Sequence, residues 1–207
     1  GTNPGAVAID PSGRFMYVPG GSTGGNVTGF AIDSVTGLPS PLPGSPFATG
    51  DDFPGSAVVD RAGRFLYVGQ GNSIFSGSIA VFAIDATTGA LTAVPGSPFA
   101  HFASYARVAA LALSPDGRFL FTGGQGIGTY AVNPTTGVPT PVAITGSSYF
   151  FGLAVDPTGR FLYASDFFGS VVRGFSIAAD GRLTPVGTPQ PIGSVSRAIV
   201  SVADLVY

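Results

Sequence analysis

Short apolar runs alternate along the chain with clusters of Gly, Pro, Asp, Ser and Thr, and they return in a fixed order. Small apolar residues dominate a first set of runs at 6–9, 57–59, 111–113 and 153–155. An aromatic set follows at 15–18, 65–68, 119–121 and 161–163. A third set occupies 27–32, 79–84, 129–132 and 171–177, and each is followed by a Pro-rich stretch. Runs of this length, bounded by turn residues and carrying β-branched and aromatic side chains, predict strands. Proline cannot donate to a ladder, so the Pro-rich stretches predict edge strands. No segment has a helical period of useful length.

The turns repeat as strictly as the strands. Asp10-Pro11-Ser12-Gly13-Arg14-Phe15 returns as Asp60-Arg61-Ala62-Gly63-Arg64-Phe65, Ser114-Pro115-Asp116-Gly117-Arg118-Phe119 and Asp156-Pro157-Thr158-Gly159-Arg160-Phe161. These copies begin at residues 10, 60, 114 and 156, hence 50, 54 and 42 residues apart. A second turn trails each copy, at Asp33–Gly37, Asp85–Gly89, Asn133–Gly137 and Ala178–Gly181. A third marker, Pro-Gly-Ser-Pro-Phe-Ala, occurs at 43–48 and 95–100. An Asp side chain can cap backbone N–H groups, Pro presets φ, and Gly accepts a left-handed conformation, so each first marker predicts a hairpin turn. Four strands per repeat, from a small apolar strand to a Pro-rich edge, describe a β-propeller blade. The coils of a parallel β-helix are shorter than these repeats.

The fold class expected is therefore all-β: a β-propeller of four-stranded antiparallel blades, about four of them plus a partial fifth. The blades are placed at 1–50, 51–103, 104–147 and 148–193, with a stub at 194–207. The chain starts at Gly1 rather than Met. With the stub, this leads us to expect part of a larger propeller: a fragment, a partly traced longer chain, or a part completed by another copy.

The residues at 10–18, their three copies, the Thr-Gly turns and the Pro-Gly-Ser-Pro-Phe-Ala segments resemble the lactonase-type seven-bladed propellers, which include 6-phosphogluconolactonase-like and surface-layer YVTN proteins. The resemblance covers nearly the whole chain. It implies the fold and, as one activity, hydrolysis of a sugar lactone. The motifs that carry it are turn and core residues, so no catalytic residue is transferred with them.

Composition narrows the chemistry. The 207 residues include no Lys, Glu, Cys or Trp. All nine basic residues are Arg, all eleven acidic residues are Asp, and His101 is the one imidazole. Charged residues make up 10% and the formal net charge is −2. A chain without a basic track lacks the means to follow phosphates, which excludes a nucleic-acid partner. Thiolate chemistry and disulfides are excluded with the cysteines. No apolar run reaches the length of a membrane span. Low charge with a Thr/Ser/Gly-rich surface leads us to expect a secreted or cell-surface location.

Residues that turn geometry does not explain fall in loops between repeats (Asp51, Asp52, His101, Tyr105, Arg107, Tyr149, Arg197) and between second and third strands (Gln70, Asn72, Gln125, Asp166). In a propeller these two loop classes share one face. Asp51, Asp52, His101, Arg107 and Asp166 are therefore expected to gather and bind a polar ligand or a cation, with Tyr105, Tyr149 and Arg197 beside them. The blander expectation is that they are solvated loop residues. No cofactor is expected. The Asp51-Asp52 pair offers oxygen ligands for Ca²⁺, but without a calcium-loop pattern. Phe53, Phe102, Phe150, Phe167 and Phe168 also fall in loops and would suit a glycan or protein surface. The four repeated Arg residues are expected to pair with turn Asp residues or cover aromatic rings.

The thin catalytic inventory favours a non-catalytic extracellular or cell-surface module. Its partners would be other copies of itself, joined through open blade edges, or a surface protein or glycan. The alternative is a lactonase-like hydrolase acting on a sugar lactone, and a weaker one is a carbohydrate-binding module.

Overall fold

The computed structural model describes residues 4–73, 76–101 and 107–193. Every regular element among them is a strand. The chain divides into two compact units, Gly1–Val108 with Thr135–Val138, and Ala109–Pro134 with Pro139–Tyr207.

The first unit holds two antiparallel sheets of the same design. In one, β1 (Ala8–Ile9), β2 (Phe15–Gly20), β3 (Asn26–Ile32) and β4 (Pro39–Pro41) lie in chain order, and β5 (Phe47–Ala48) also pairs with β3. In the other, β6 (Ser56–Val59), β7 (Phe65–Ser73) and β8 (Ser76–Ile84) lie side by side, and both β9 (Leu91–Ala93) and β10 (Phe99–Ala100) pair with β8. The expected fourth strand is thus broken in two. The cause is the Pro-Gly-Ser-Pro-Phe-Ala marker, which makes a turn containing a cis bond (Ser45-Pro46, Ser97-Pro98). In that turn the serine hydroxyl accepts from the N–H of Gly29 or Val81, at 3.0 and 2.9 Å.

The second unit is one continuous sheet of six strands: β11 (Ala110–Leu113), β12 (Phe119–Val132), β13 (Pro139–Val155), β14 (Phe161–Asp166), β15 (Val171–Ile177) and β16 (Leu183–Pro191). β12 contains both the second and the third strand expected for its repeat. It doubles back across the Gly-rich stretch 123–128, so that the Val132 N–H donates to the Arg118 carbonyl at 2.8 Å. The same bond closes the other hairpins, from Ile32 to Arg14, Ile84 to Arg64 and Ile177 to Arg160. β13 pairs with β12 through Pro139–Thr145 and Tyr149, and with β14 through Phe150–Val155. It runs unbroken because the third repeat is short and lacks the Pro-Gly-Ser-Pro-Phe-Ala turn.

The Asp turns act as expected. The N–H of Phe15, Phe65 and Phe161 donates to the carboxylate of Asp10, Asp60 and Asp156 at 2.7, 2.9 and 2.6 Å. In the third repeat Ser114 takes that role at 2.9 Å, and Asp116 accepts from the Ser114 hydroxyl at 2.6 Å. Each turn Arg then lies over the ring of the next residue, with guanidinium carbons 5.0–5.4 Å from the ring centroids of Phe15, Phe65, Phe119 and Phe161.

Each of the first three phenylalanines seats its ring on a turn glycine of a later repeat. A Cβ added to Gly89 would lie 2.5 Å from the Phe15 ring, one on Gly137 2.6 Å from Phe65, and one on Gly181 2.5 Å from Phe119. All three glycines hold a left-handed φ, from 72° to 84°, so glycine is needed for conformation and for space. Arg14 and Arg118 reach the same turns, donating to the carbonyls of Ala86 and Ala179 at 2.7 and 3.0 Å. Around these contacts lie two apolar clusters, one with Tyr17, Val27, Leu66, Val68 and Phe82, the other with Phe121, Ile127, Phe150, Leu162 and Phe175.

Replacing Asp10 by Ala strands the buried Phe15 N–H and is expected to cost about 1–3 kcal/mol in urea unfolding. Replacing the exposed Asp33, which caps only its own turn, should cost clearly less; equal losses would contradict this account of the Asp turns.

Candidate functional site

In the first unit the loop after β5 meets the loops of both hairpins. The Asp52 Oδ1 accepts from the Gly24 N–H at 2.8 Å, and the Asp52 carbonyl accepts from the Gly71 N–H at 3.0 Å. Phe53, in the left-handed region at φ 52°, donates its N–H to the Ser22 carbonyl at 3.0 Å. An aromatic residue in that conformation is uncommon, and such strain concentrates at sites that hold a ligand or a fixed geometry. Asp51 binds inward: its Oδ1 accepts from the Asp52 N–H at 2.8 Å and its Oδ2 from the Ser78 hydroxyl at 2.7 Å.

Gln70 completes this network. It was expected in a loop, but lies within β7, fully buried, because β7 extends to Ser73. Its Nε2 donates to the Thr49 carbonyl at 3.2 Å and the Ser78 hydroxyl at 3.1 Å. Its Oε1 is buried and accepts no hydrogen bond among the described residues. Close by along the chain path, the Val108 N–H approaches the Gln70 carbonyl at 3.4 Å. Arg107 stands against Gly55, where a Cβ would meet its Nη2 at 2.4 Å. The Arg107 Nε is likewise buried and without a hydrogen bond among the described residues. His101 continues from β10 and donates its backbone N–H to the Gly77 carbonyl at 2.8 Å, beside Ser78.

In the second unit Asp166 and Tyr149 are strand residues, not loop residues. Tyr149 lies in β13, where the short third repeat leaves no room for a loop, and Asp166 is the last residue of β14, 2% exposed. Asp166 accepts from the Ser148 hydroxyl at 2.5 Å and the Gly169 N–H at 3.0 Å, and pairs with the Arg173 Nε at 2.8 Å. Burial works to raise its carboxyl, but the Ser148 hydroxyl, the Gly169 amide and the Arg173 guanidinium outweigh it and hold the group below the usual carboxylate range. Tyr149 joins Phe151, Phe167 and Phe168 in an aromatic chain with centroid separations of 5.0–6.2 Å. Phe168 is 76% exposed, whereas Phe150 is buried and belongs to the core.

The candidate residues thus fall into two groups, one in each unit. Asp51, Asp52, Arg107 and the backbone of His101 lie in the first; Asp166 and Tyr149 lie in the second. Tyr105, Arg197 and Phe102 lie outside the described residues. Among the described residues no three His or Asp side chains come together as a metal would require, and both carboxylates of the Asp51-Asp52 pair already accept hydrogen bonds. The sequence reading put Gln70 and Asp166 in loops because their strands end in polar and Gly residues, which carry turn signals as readily as strand ends.

Comparison with known proteins agrees with this architecture. Residues 1–100 match the family described as "Lactonase, 7-bladed beta-propeller". No curated protein matches the sequence. Among solved structures, the periplasmic gluconolactonase of Pseudomonas aeruginosa is 24% identical, with a TM-score of 0.78 over 93% of this chain and 59% of that one. A putative 6-phosphogluconolactonase from Bacteroides uniformis is 20% identical, with a TM-score of 0.77 over 91% and 55%. The hydrazine synthase of Kuenenia stuttgartiensis is 16% identical, with a TM-score of 0.67 over 94% and 64%. Residues 1–100 carry the lactonase-like β-propeller repeat, the likeness over the rest is one of fold, and the chain spans less than two thirds of each of these structures. No helix among the described residues is long and apolar enough to cross a membrane.

A carboxyl held low in the folded state stabilises the fold above its unfolded pKa, and that stability is lost as pH falls through the folded value. Replacing Asp166 by Asn should therefore reduce stability at neutral pH and flatten the loss of stability below about pH 4. Urea unfolding as a function of pH checks this, and an unchanged acid limb would contradict it.

Proposed function

We propose that the chain is part of a lactonase-type propeller that binds a sugar lactone and opens its ring by hydrolysis, in a place outside the cytoplasm. The expectation of a non-catalytic surface module draws no support from the comparisons, whereas the lactone alternative is in line with the family matched by residues 1–100. A gluconolactonase described as periplasmic is among the similar structures, which favours both the substrate class and the location.

The observation that carries the reading is that Gln70 Oε1 and Arg107 Nε, two of the three buried side-chain polar atoms without partners among the described residues of the first unit (Tyr67 Oη in the strand core is the third), belong to residues that adjoin the strained loop. Buried polar groups are nearly always satisfied, so two orphans near a strained loop mark a place for a polar ligand. A sugar lactone offers hydroxyls to donate to Gln70 and a carbonyl oxygen to accept from Arg107. Asp52 has one carboxylate oxygen on the Gly24 N–H and the other without a hydrogen bond among the described residues. In this reading Asp52 takes a proton from the attacking water. The water oxygen bonds to the carbonyl carbon, Arg107 stabilises the negative charge gathering on the carbonyl oxygen, the ring C–O bond breaks, and the departing alkoxide takes up the proton.

The test is hydrolysis of glucono-δ-lactone above its spontaneous rate. Asp52→Asn and Arg107→Gln should each lower the enzymatic rate by about a hundredfold or more, with the fold retained. Rates equal to the unaltered protein's in both variants would remove these residues from the chemistry. A protein no faster than water would remove the lactonase reading for this chain.

A further inference from the structure

The second unit contains a pocket of about 390 Å³ between the stretch 145–148 of β13 and the pair β15–β16. Phe150, Phe175, Pro185, Val186 and Pro189 supply apolar walls, and Arg173 with Ser147 and Ser148 supplies polar ones. Pockets of this size accept small ligands or single side chains.

The internal repeat shows what belongs in such a place. In the second sheet of the first unit Leu66 pairs with Phe82 and Val68 with Ala80; in the second unit Leu162 pairs with Phe175 and Ala164 with Arg173. Phe175 and Arg173 therefore stand where Phe82 and Ala80 stand in the earlier repeat. Phe82 and Ala80 share a core cluster with Leu42, and Phe47 packs against that cluster. Leu42 and Phe47 flank and belong to the first Pro-Gly-Ser-Pro-Phe-Ala marker. That marker is missing from the third repeat, whose interval is 42 residues rather than 50 or 54. The pocket lies where the chain lacks its own Pro-Phe segment.

One lining residue differs in kind from its counterpart in the earlier repeat. Where the earlier repeat has Ala80, this one has Arg173, fixed through Nε by the buried Asp166. Its two Nη nitrogens make no hydrogen bond among the described residues, and the side chain is 40% exposed. Because Asp166 offsets the guanidinium charge, the suitable acceptor is neutral, and a peptide carbonyl meets that need. Aromatic-lined grooves are recurrent receptors for extended Pro-containing segments.

We propose that this pocket docks a Pro-Phe segment of another polypeptide, with the aromatic ring against Phe150 and Phe175 and a backbone carbonyl on the Arg173 Nη groups. The site is separate from the Gln70–Arg107 group and does not rest on the lactone reading.

The probe is the chain's own marker as a capped peptide, acetyl-Pro-Gly-Ser-Pro-Phe-Ala-amide, titrated calorimetrically into the whole protein. Saturable binding is expected, and it should vanish when the peptide Phe is replaced by Ala. Ser147→Trp, at the exposed rim, should fill the pocket and abolish binding. Arg173→Met should weaken it about tenfold or more, the loss of hydrogen bonds to a charged donor. Absence of saturable binding, or binding that survives Ser147→Trp, would overturn the proposal. Binding of phenylalanine amide as tight as that of the hexapeptide would show a small-molecule pocket and overturn it as well.

Discussion

An aromatic ring seated on a bare turn glycine is the contact on which the architecture of each unit depends. Phe15 on Gly89, Phe65 on Gly137 and Phe119 on Gly181 are one contact made three times, and each is prepared by local chemistry. An Asp or Ser side chain caps the N–H of the phenylalanine and fixes where the strand begins. The preceding Arg covers the outer side of the ring. Of the three turns that receive a ring, the one ending in Gly89 is held by its own carboxylate, Asp85 accepting from the Thr87 and Thr88 N–H groups at 2.9 and 2.8 Å, whereas those ending in Gly137 and Gly181 begin with Asn133 and Ala178. Since the ring fills the space a Cβ would need, the two motifs of the repeat constrain each other.

With the turns at this end committed to packing, the connections at the other ends of the strands are left to vary, and the polar candidates are found there. Asp51 and Asp52 differ from anything in the second unit, and Gln70 is matched in strand position by Asp166. The same position thus serves two different networks: an amide bridging Thr49 and Ser78, and a carboxylate pinning Arg173. The third repeat lacks the Pro-Gly-Ser-Pro-Phe-Ala turn, and a pocket lies between its stretch 145–148 and β15–β16.

The fold was legible in the sequence because its determinants are local and repeated: turn residues at fixed offsets, aromatic strands after them, small strands before them. The role of the repeated Arg residues as covers for aromatic rings was legible for the same reason. The site was legible only in part. Asp51 and Asp52 stand out as unexplained polar residues and do lie in a loop that joins two hairpins. Gln70 and Asp166, expected in loops, lie in strands, because whether a polar residue ends a strand or begins a loop depends on how far the ladder with its neighbour runs. The orphaned Oε1 of Gln70 and Nε of Arg107 are properties of packing, with no sequence signal. The break of the fourth strand in the first two repeats was visible as a marker but not as a turn, since its shape depends on the Gly29 and Val81 N–H groups that hold its serines.

The ring and the glycine act as one unit, and a double-mutant cycle on Phe119 and Gly181 measures this directly. Gly181→Ala places a methyl group against the ring, and Phe119→Leu removes the ring it would strike. The two changes together should cost less than their sum, with a coupling of about 1 kcal/mol or more. Additivity within about 0.5 kcal/mol would contradict the account, because the ring and the glycine would then contribute to stability independently.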